Sequence, residues 1–261
     1  MKLPKTLAVI GSRGMVGSDL MLYLKPKFQQ VVGIDKKNYD QNRGKSFDVV
    51  INANGNSSKV WAKEHVLEDF AASTTSAYNS IFDFPCKTYI YISSADVYED
   101  HSSKKSTSES QTIIPYNLSS YGFHKYLSEC IVRNSCTNYI ILRCPMILGT
   151  NLKKGPIYDI FHKSSLFISE QSSFQMFTTA EITKFICFIL DRNTVKEVFN
   201  VGGRGTVAFS KISKYVRRPV KFPKDGKTHI YEMDVSKLHK IYNLKTSADY
   251  LTQFLKVNKN S

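Results

Sequence analysis

Residues 7–35 carry the pattern that constrains the fold most: an apolar run, a glycine turn, a helical stretch, and a second apolar run closed by an acid. Leu7-Ala8-Val9-Ile10 is apolar throughout, as a parallel strand covered on both faces should be. Gly11-Ser12-Arg13-Gly14-Met15-Val16-Gly17 follows at once. Ser18 to Lys25 then carries helix formers, with apolar residues at Leu20, Met21 and Leu24. Glycines at such a turn allow a tight bend and let a pyrophosphate approach the backbone at the helix N-terminus. The next run, Val31-Val32-Gly33-Ile34, ends in Asp35, 18 residues after Gly17. A carboxylate at about that distance suits the hydroxyls of an adenosine ribose. A purely structural βα turn uses the same glycines; the acid after the second run is what favours a dinucleotide.

The remainder of the chain repeats the alternation. Apolar or β-branched runs predict strands near 6–11, 30–35, 47–53, 87–94, 138–144 and 197–201. Helices are expected at 14–25, 57–82, 120–135, 180–191 and 209–217. Strands alternating with helices predict an α/β fold with a parallel, doubly wound sheet. No internal repeat is evident. Glu99 to Pro115 is polar and serine-rich, and reads as a loop.

Two further segments carry chemistry. Tyr121 and Lys125 lie four residues apart in a helical stretch, so they share one helix face. A tyrosine hydroxyl ordinarily titrates near pH ~10. A lysine ammonium beside it favours the phenolate and brings proton transfer closer to neutral pH, which makes the pair a candidate general acid/base. A solvated helix face shows the same spacing. Upstream, Tyr89-Ile90-Tyr91-Ile92 reads as a strand that ends in Ser93-Ser94. Ligands bind at the carboxyl ends of strands in open α/β sheets. Serines there also form turns and cap helices.

Composition excludes several classes. At 42% hydrophobic and 22% charged residues, the chain is ordinary for a globular protein. No run approaches the ~18 apolar residues of a membrane span, and no signal peptide is evident. Five cysteines, odd in number and without C-x-x-C spacing, argue against a disulfide framework or a zinc site. The histidines show no metal-ligand spacing, so no metal is expected. A reduced, cytoplasmic setting is the simple reading. The net charge of +14 would suit nucleic acid or an anionic membrane. The lysines are spread along the chain in pairs at most, so neither partner is expected. A solvated basic surface that helps capture a small anion is favoured instead.

Taken in order, these motifs resemble the extended short-chain dehydrogenase/reductase family of nucleotide-sugar epimerases, dehydratases and reductases. The matching features are G-x-x-G-x-x-G from Gly11, the acid Asp35, S-S-A-x-V-Y from Ser93, Y-x-x-x-K from Tyr121, and Leu142-Arg143-Cys144-Pro145 through Gly149. Glu197 to Gly203 and Asp234 to Leu251 look like its later strand and C-terminal helical segment. The resemblance implies a Rossmann-type sheet over residues 1–150, with 151–261 giving the last core strand and helix plus a small C-terminal substrate lobe. It implies NAD or NADP across Gly11, Arg13, Gly14, Met15, Val16 and Gly17, with Asp35 on the ribose and Ala53 beside the cofactor. The nicotinamide would lie near Ser94, Tyr121 and Pro145. Tyr121, Lys125 and Ser94 would be catalytic, with Lys125 also holding the nicotinamide ribose. A homodimer is implied, formed through two helices from each subunit.

The chain departs from that family in two places. Only 11 residues separate Asp35 from Phe47, too few for the strand and helix usually found there, so a sheet one strand narrower is expected. The dehydratases carry an Asp-Glu pair after the catalytic threonine, whereas this chain has Ala95 and Asp96. The resemblance therefore implies a 4-keto sugar reductase, with an epimerase as the alternative and a non-catalytic nucleotide-binding protein as the alternative of another class. Asp35 favours NAD, while Arg13, matching an arginine of GDP-fucose synthase-like loops, favours the 2′-phosphate of NADP. The carboxylate is weighed more.

Overall fold

The computed structural model describes residues 4–162 and 165–258. The strands are β1 (Thr6–Ile10), β2 (Gln30–Ile34), β3 (Phe47–Asn52), β4 (Cys86–Ser94), β5 (Tyr139–Cys144), β6 (Met146–Leu148), β7 (Ser173–Phe174), β8 (Met176–Thr178), β9 (Glu197–Asn200), β10 (Val207–Ala208) and β11 (Ile230–Tyr231). The helices are α1 (Met15–Leu24), α2 (Tyr39–Asn42), α3 (Lys59–Glu64), α4 (Val66–Phe70), α5 (Ser76–Asp83), α6 (Ser120–Ser135), α7 (Pro156–His162), α8 (Thr179–Asp191), α9 (Ile212–Val216), α10 (Ser236–Ile241) and α11 (Ser247–Asn258). No helix among the described residues is long and apolar enough to cross a membrane.

Six strands form one parallel sheet in the order β2-β1-β3-β4-β5-β9. Side chains alternate between its faces, because successive residues of a strand point to opposite sides. Leu7, Val9, Ile51, Ile90 and Leu142 meet α1 and α8 on one face, through Leu20, Leu24, Phe185 and Ile186. Ala8, Ile10, Val50, Tyr89 and Ile141 meet α5 and α6 on the other, through Ala77 and Val132. Both faces are covered, which is why these strands read as unbroken apolar runs.

The sheet ends at β2. Residues 35–46 provide only the single turn α2, and the chain crosses past β1 straight into β3. The expected helix at 57–82 is interrupted instead. It forms α3, α4, a π-helical turn at Ala71–Thr75, and α5. His65, at φ −127° and ψ 62°, ends α3, and the π turn then shifts the helix face between α4 and α5. The expected helix at 209–217 is likewise shorter: a 3₁₀ turn at Phe209–Lys211, then α9.

After β5 the chain builds two small sheets, β6-β8 and β10-β7-β11. They enclose a separate apolar cluster that includes Leu148, Ile160, Phe174, Phe209, Ile212 and Phe254. This cluster lies beyond the carboxyl end of β5 and takes in Ala95, Val97 and Tyr98 from the turn after β4.

Candidate active site

The glycine turn is shaped by packing at both ends. Gly11 has φ +78°, and a Cβ there would lie 2.9 Å from the Asn54 Cα. Gly17 is tighter still: a Cβ would lie 2.1 Å from the Gly11 carbonyl oxygen. No side chain larger than hydrogen fits there, so the first turn of α1 rests directly on the loop. Gly14 caps α1 without a side-chain hydrogen bond, and no acid occupies the first turn. The N–H groups around Met15 and Val16 therefore face outward unclaimed, at the positive end of the helix.

Asp35 stands at the end of β2. Its Oδ1 accepts the Lys37 backbone N–H at 2.7 Å, and its Oδ2 is ion-paired with Arg13. Lys36 and Lys37 are exposed. Ala53 follows β3 and donates its N–H to the Ile10 carbonyl at 3.0 Å. It is half-buried, as is Pro145 between β5 and β6.

Ser94, Tyr121 and Lys125 converge at the carboxyl end of β4. Ser119 caps α6 by accepting the Gly122 N–H at 3.2 Å. Gly122 itself lets the helix lean on the turn after β4, since a Cβ there would lie 2.1 Å from the Asp96 carbonyl oxygen. Tyr121 and Lys125 are both buried. The Lys125 ammonium donates to the Ile92 carbonyl at 3.2 Å and lies 5.1 Å from the Tyr91 ring centroid.

Electrostatics here differ from the expectation for the pair. Burial pushes the Tyr121 phenol up to about 12; Lys125 and a hydrogen-bonding contact with Ser94 pull the other way, while Asp96 adds to the rise. Desolvation wins over the ammonium because the phenolate would lose its water on every side. Burial also works against the Lys125 ammonium, yet the Tyr91 and Tyr121 phenols beside it hold it above its ordinary value.

Near Lys125 the buried Ser73 Oγ has no hydrogen-bond partner among the described residues, and the buried Tyr91 hydroxyl faces only the Lys125 ammonium. Ser73 belongs to the π turn. Gly55, at φ +115°, lies between the two elements: a Cβ there would come 3.2 Å from Ser73 Oγ and 3.4 Å from the Lys125 ammonium. A buried hydroxyl without a partner is costly. The unclaimed N–H groups of α1, the cradle at Gly55 and the unmet Ser73 hydroxyl together fit a bound dinucleotide.

Two further polar residues of the site, Glu129 and Asp19, escaped the sequence patterns. Glu129, fully buried, accepts from Ser93 Oγ at 2.6 Å and from Arg143 Nη2 at 2.7 Å. Arg143 Nη1 donates to Tyr98 OH at 2.8 Å, which donates to Asn200 Oδ1 at 2.8 Å. This network reaches the end of β4 through Ser93, the neighbour of Ser94. On α1, the buried Asp19 accepts from Thr179 Oγ1 at 2.6 Å and from the Thr150 N–H at 2.8 Å, tying the glycine-turn helix to α8. Nothing local announces such pairs: a glutamate in α6 or an aspartate in α1 looks like any solvated acid until its distant partner is known.

The fold and the motifs both have counterparts. Residues 7–169 match the model of the NAD dependent epimerase/dehydratase family. No curated protein matches the chain in sequence. Among solved structures, a dTDP-4-dehydrorhamnose reductase from Clostridium acetobutylicum superposes with a TM-score of 0.78 at 16% identity, over 97% of this chain and 99% of that one. A dTDP-4-dehydrorhamnose reductase from Bacillus anthracis, in complex with NADP, gives 0.78 at 17% identity, over 97% and 100%. A UDP-glucuronic acid 4-epimerase from Bacillus cereus, in complex with UDP-glucuronic acid and NAD, gives 0.76 at 18% identity, over 96% and 99%. With its parallel sheet, its glycine turn on α1 and the family model running from β1 past α7, the chain belongs to the NAD dependent epimerase/dehydratase family of extended short-chain dehydrogenase/reductase enzymes.

Proposed function

We propose that the protein reduces the keto group of a 4-keto nucleotide sugar with NADH or NADPH. The observation that carries this reading is the convergence of Ser94, Tyr121 and Lys125 at the carboxyl end of β4, with Ala95 where a dehydratase would place its first acid. The similarity in fold to reductases and epimerases of nucleotide sugars supports the substrate class.

Residues Gly11, Arg13, Gly14, Met15, Val16, Gly17, Asp35, Ala53 and Pro145 would hold the dinucleotide, together with Tyr121 and Lys125. When bound, a reduced nicotinamide supplies the hydride that no side chain can. Tyr121 donates its proton to the ketone oxygen as that oxygen gains charge. Its high pKa keeps it protonated and ready to donate at neutral pH. Lys125 stabilises the resulting phenolate and offers its remaining N–H groups to the nicotinamide ribose. Ser94 donates a hydrogen bond to the reacting oxygen. The buried site excludes the water that would compete for that proton.

An epimerase is the second reading. It would use the same three residues, and epimerases superpose on the chain nearly as well as reductases do. Incubation with NADH or NADPH and a mixture of 4-keto nucleotide sugars separates the readings. A reductase oxidises the cofactor in proportion to product. Interconversion of sugars with no net change in cofactor would identify an epimerase, and no reaction at all would favour a non-catalytic binding protein.

We also propose a homodimer in a cytoplasmic setting, and the division of the chain into a 1–150 dinucleotide-binding core and a 151–261 segment completing the substrate lobe. Support for the dimer lies on α4 and α5: Leu67 is 82% exposed, and Phe70, Tyr78 and Phe82 continue the same apolar stripe. On α6, Phe123, Leu127 and Ile131 are half-buried beside it, whereas Val132 is spent on the sheet.

A further inference from the structure

Four side chains, two of them from distant parts of the chain, meet at Asp96, on the turn that follows Ser94. Ser94 Oγ donates to Asp96 Oδ2 at 3.0 Å, and the same oxygen accepts the Asp96 N–H at 3.2 Å. Tyr231 OH donates to Asp96 Oδ1 at 2.9 Å. The Lys59 ammonium lies 2.5 Å from that same Oδ1, and His101 Nε2 lies 3.7 Å from it. Lys59 begins α3 in the core, and Tyr231 belongs to β11 of the small sheet.

The contact between them is built from both sides. Lys59 hydrogen-bonds the Tyr231 hydroxyl, and its ammonium lies 4.4 Å from the Tyr231 ring centroid. His101 stacks on Tyr231 at 3.7 Å and 14°. The Glu232 N–H donates to the His101 carbonyl at 2.9 Å, and His101 Nδ1 meets the Ile230 carbonyl at 3.1 Å. A carbonyl only accepts, so Nδ1 carries the proton and holds the ring in place. Thus β11 is fastened to the loop that carries Asp96.

Ser94 has one hydroxyl proton. While Asp96 Oδ2 accepts it, Ser94 can offer a neighbour only a lone pair. A ketone oxygen is itself only an acceptor. Ser94 can therefore assist at a ketone only if its proton turns from Asp96 toward the substrate. How tightly Oδ2 holds that proton depends on the charge left on the carboxylate. Lys59 and Tyr231 draw that charge toward Oδ1, which weakens Oδ2 as an acceptor.

We infer that Asp96 is a positioning residue that sets the direction of the Ser94 proton, and that Lys59 and Tyr231 make this setting depend on the docking of β11 against the core. The inference rests on the proposed role of Ser94 at the reacting oxygen.

The test compares Asp96→Asn in the wild-type and Ser94→Ala backgrounds, reading kcat and KM for a 4-keto nucleotide sugar and the Kd of NADH. A neutral amide accepts more weakly than a carboxylate, so in the wild-type background kcat rises about threefold or more, with KM and Kd within about twofold. In the Ser94→Ala background Asp96→Asn has no further effect. An unchanged or lower kcat in the wild-type background, or an equal change in both backgrounds, would mean that Asp96 does not act through the Ser94 proton, and overturns the inference. Lys59→Met and Tyr231→Phe each lower kcat, and their double variant loses no more than the worse single one; additive losses overturn the coupling to β11. If the wild type reduces no 4-keto sugar, the proposed function fails, and the geometry is judged without substrate. Urea unfolding of the Ser94/Asp96 and Lys59/Tyr231 double-mutant cycles should then show non-additivity of about threefold or more in the unfolding constant, and additivity in either cycle overturns that contact.

Discussion

Arg13 lies against Asp35, its Nε ion-paired with Oδ2 while Oδ1 accepts the Lys37 N–H at 2.7 Å. The two residues that argue for opposite cofactors are thus each other's partner. A 2′-phosphate must draw Arg13 away from Asp35 and then face the carboxylate. A ribose hydroxyl needs only to donate to it. NADH is expected to bind at least as tightly as NADPH, with neither excluded. Fluorescence titration of both reduced cofactors reads this directly. A preference for NADPH of tenfold or more, about 1.4 kcal/mol, would mean that the arginine outweighs the acid, and Arg13→Ala would then reverse it.

Tyr121→Phe removes one hydroxyl without changing the ring. Turnover is expected to fall about 10²–10⁴-fold, with cofactor affinity nearly unchanged. Single-turnover kinetics with cofactor titration separate the two quantities. Retention of more than a tenth of wild-type turnover would exclude Tyr121 as the acid. Lys125→Met should weaken both rate and cofactor binding, because the proposed reaction has its ammonium serve both the phenol and the ribose.

The buried phenols set the alkaline behaviour. Burial pushes both Tyr98 and Tyr121 up to about 12, from an ordinary value of 10.0. A folded-state pKa above the unfolded one means that the folded state holds its proton more tightly. The resulting stability is fully present below the unfolded value and is lost as pH rises through about 12. The urea midpoint should therefore hold near pH 8–9 and decline above about pH 10. Ketone reduction, which needs Tyr121 protonated, should show no loss attributable to this group between pH 7 and about 10. An alkaline limb near pH 7–8 that disappears in Tyr121→Phe would contradict the burial argument.

Glu129 and Arg143 form a buried pair at 2.7 Å, with side chains 0% and 1% exposed. Glu129→Ala strands the guanidinium and is expected to cost roughly 3–5 kcal/mol in urea unfolding. Glu129→Gln, which still accepts a hydrogen bond, should cost less. A loss below about 1 kcal/mol in the alanine variant would show that water reaches the arginine.

The apolar stripe on α4 and α5 predicts association. Light scattering at micromolar concentration is expected to give about twice the 29.7 kDa of the chain. Leu67→Glu together with Phe82→Glu should yield a monomer, since two charges cannot be desolvated there without partners. A monomeric wild type would sink the dimer.

The local motifs were readable because each is made by neighbours in the chain. A glycine turn between an apolar run and a helix leaves a sequence signature, since Gly17 must be glycine to sit on Gly11. Tyr121 and Lys125 were readable because helix periodicity alone puts them on one face. The six core strands were readable because a sheet covered on both faces demands unbroken apolar runs. Residues 35–46 showed by length alone that no further strand could be built there. The sequence of 57–82 reads as one continuous helix, because the break at His65 and the π turn answer to packing beneath them rather than to any proline or glycine.

What the sequence by itself determined is therefore the α/β architecture and the identity of the chemical groups. Tertiary structure alone decided their electrostatic state. Lys125 raises the expectation of an acidic tyrosine, yet the burial of Tyr121 outweighs it. Asp35 and Arg13 read as rivals and fold into a pair. Asp96 reads in the sequence only as the second position of the dehydratases' acid pair, but Lys59 and Tyr231, 172 residues apart, close around it. The physical reason is the same each time. Covalent order sets which groups a segment carries, while desolvation and ion pairing depend on what the remainder of the chain places beside them.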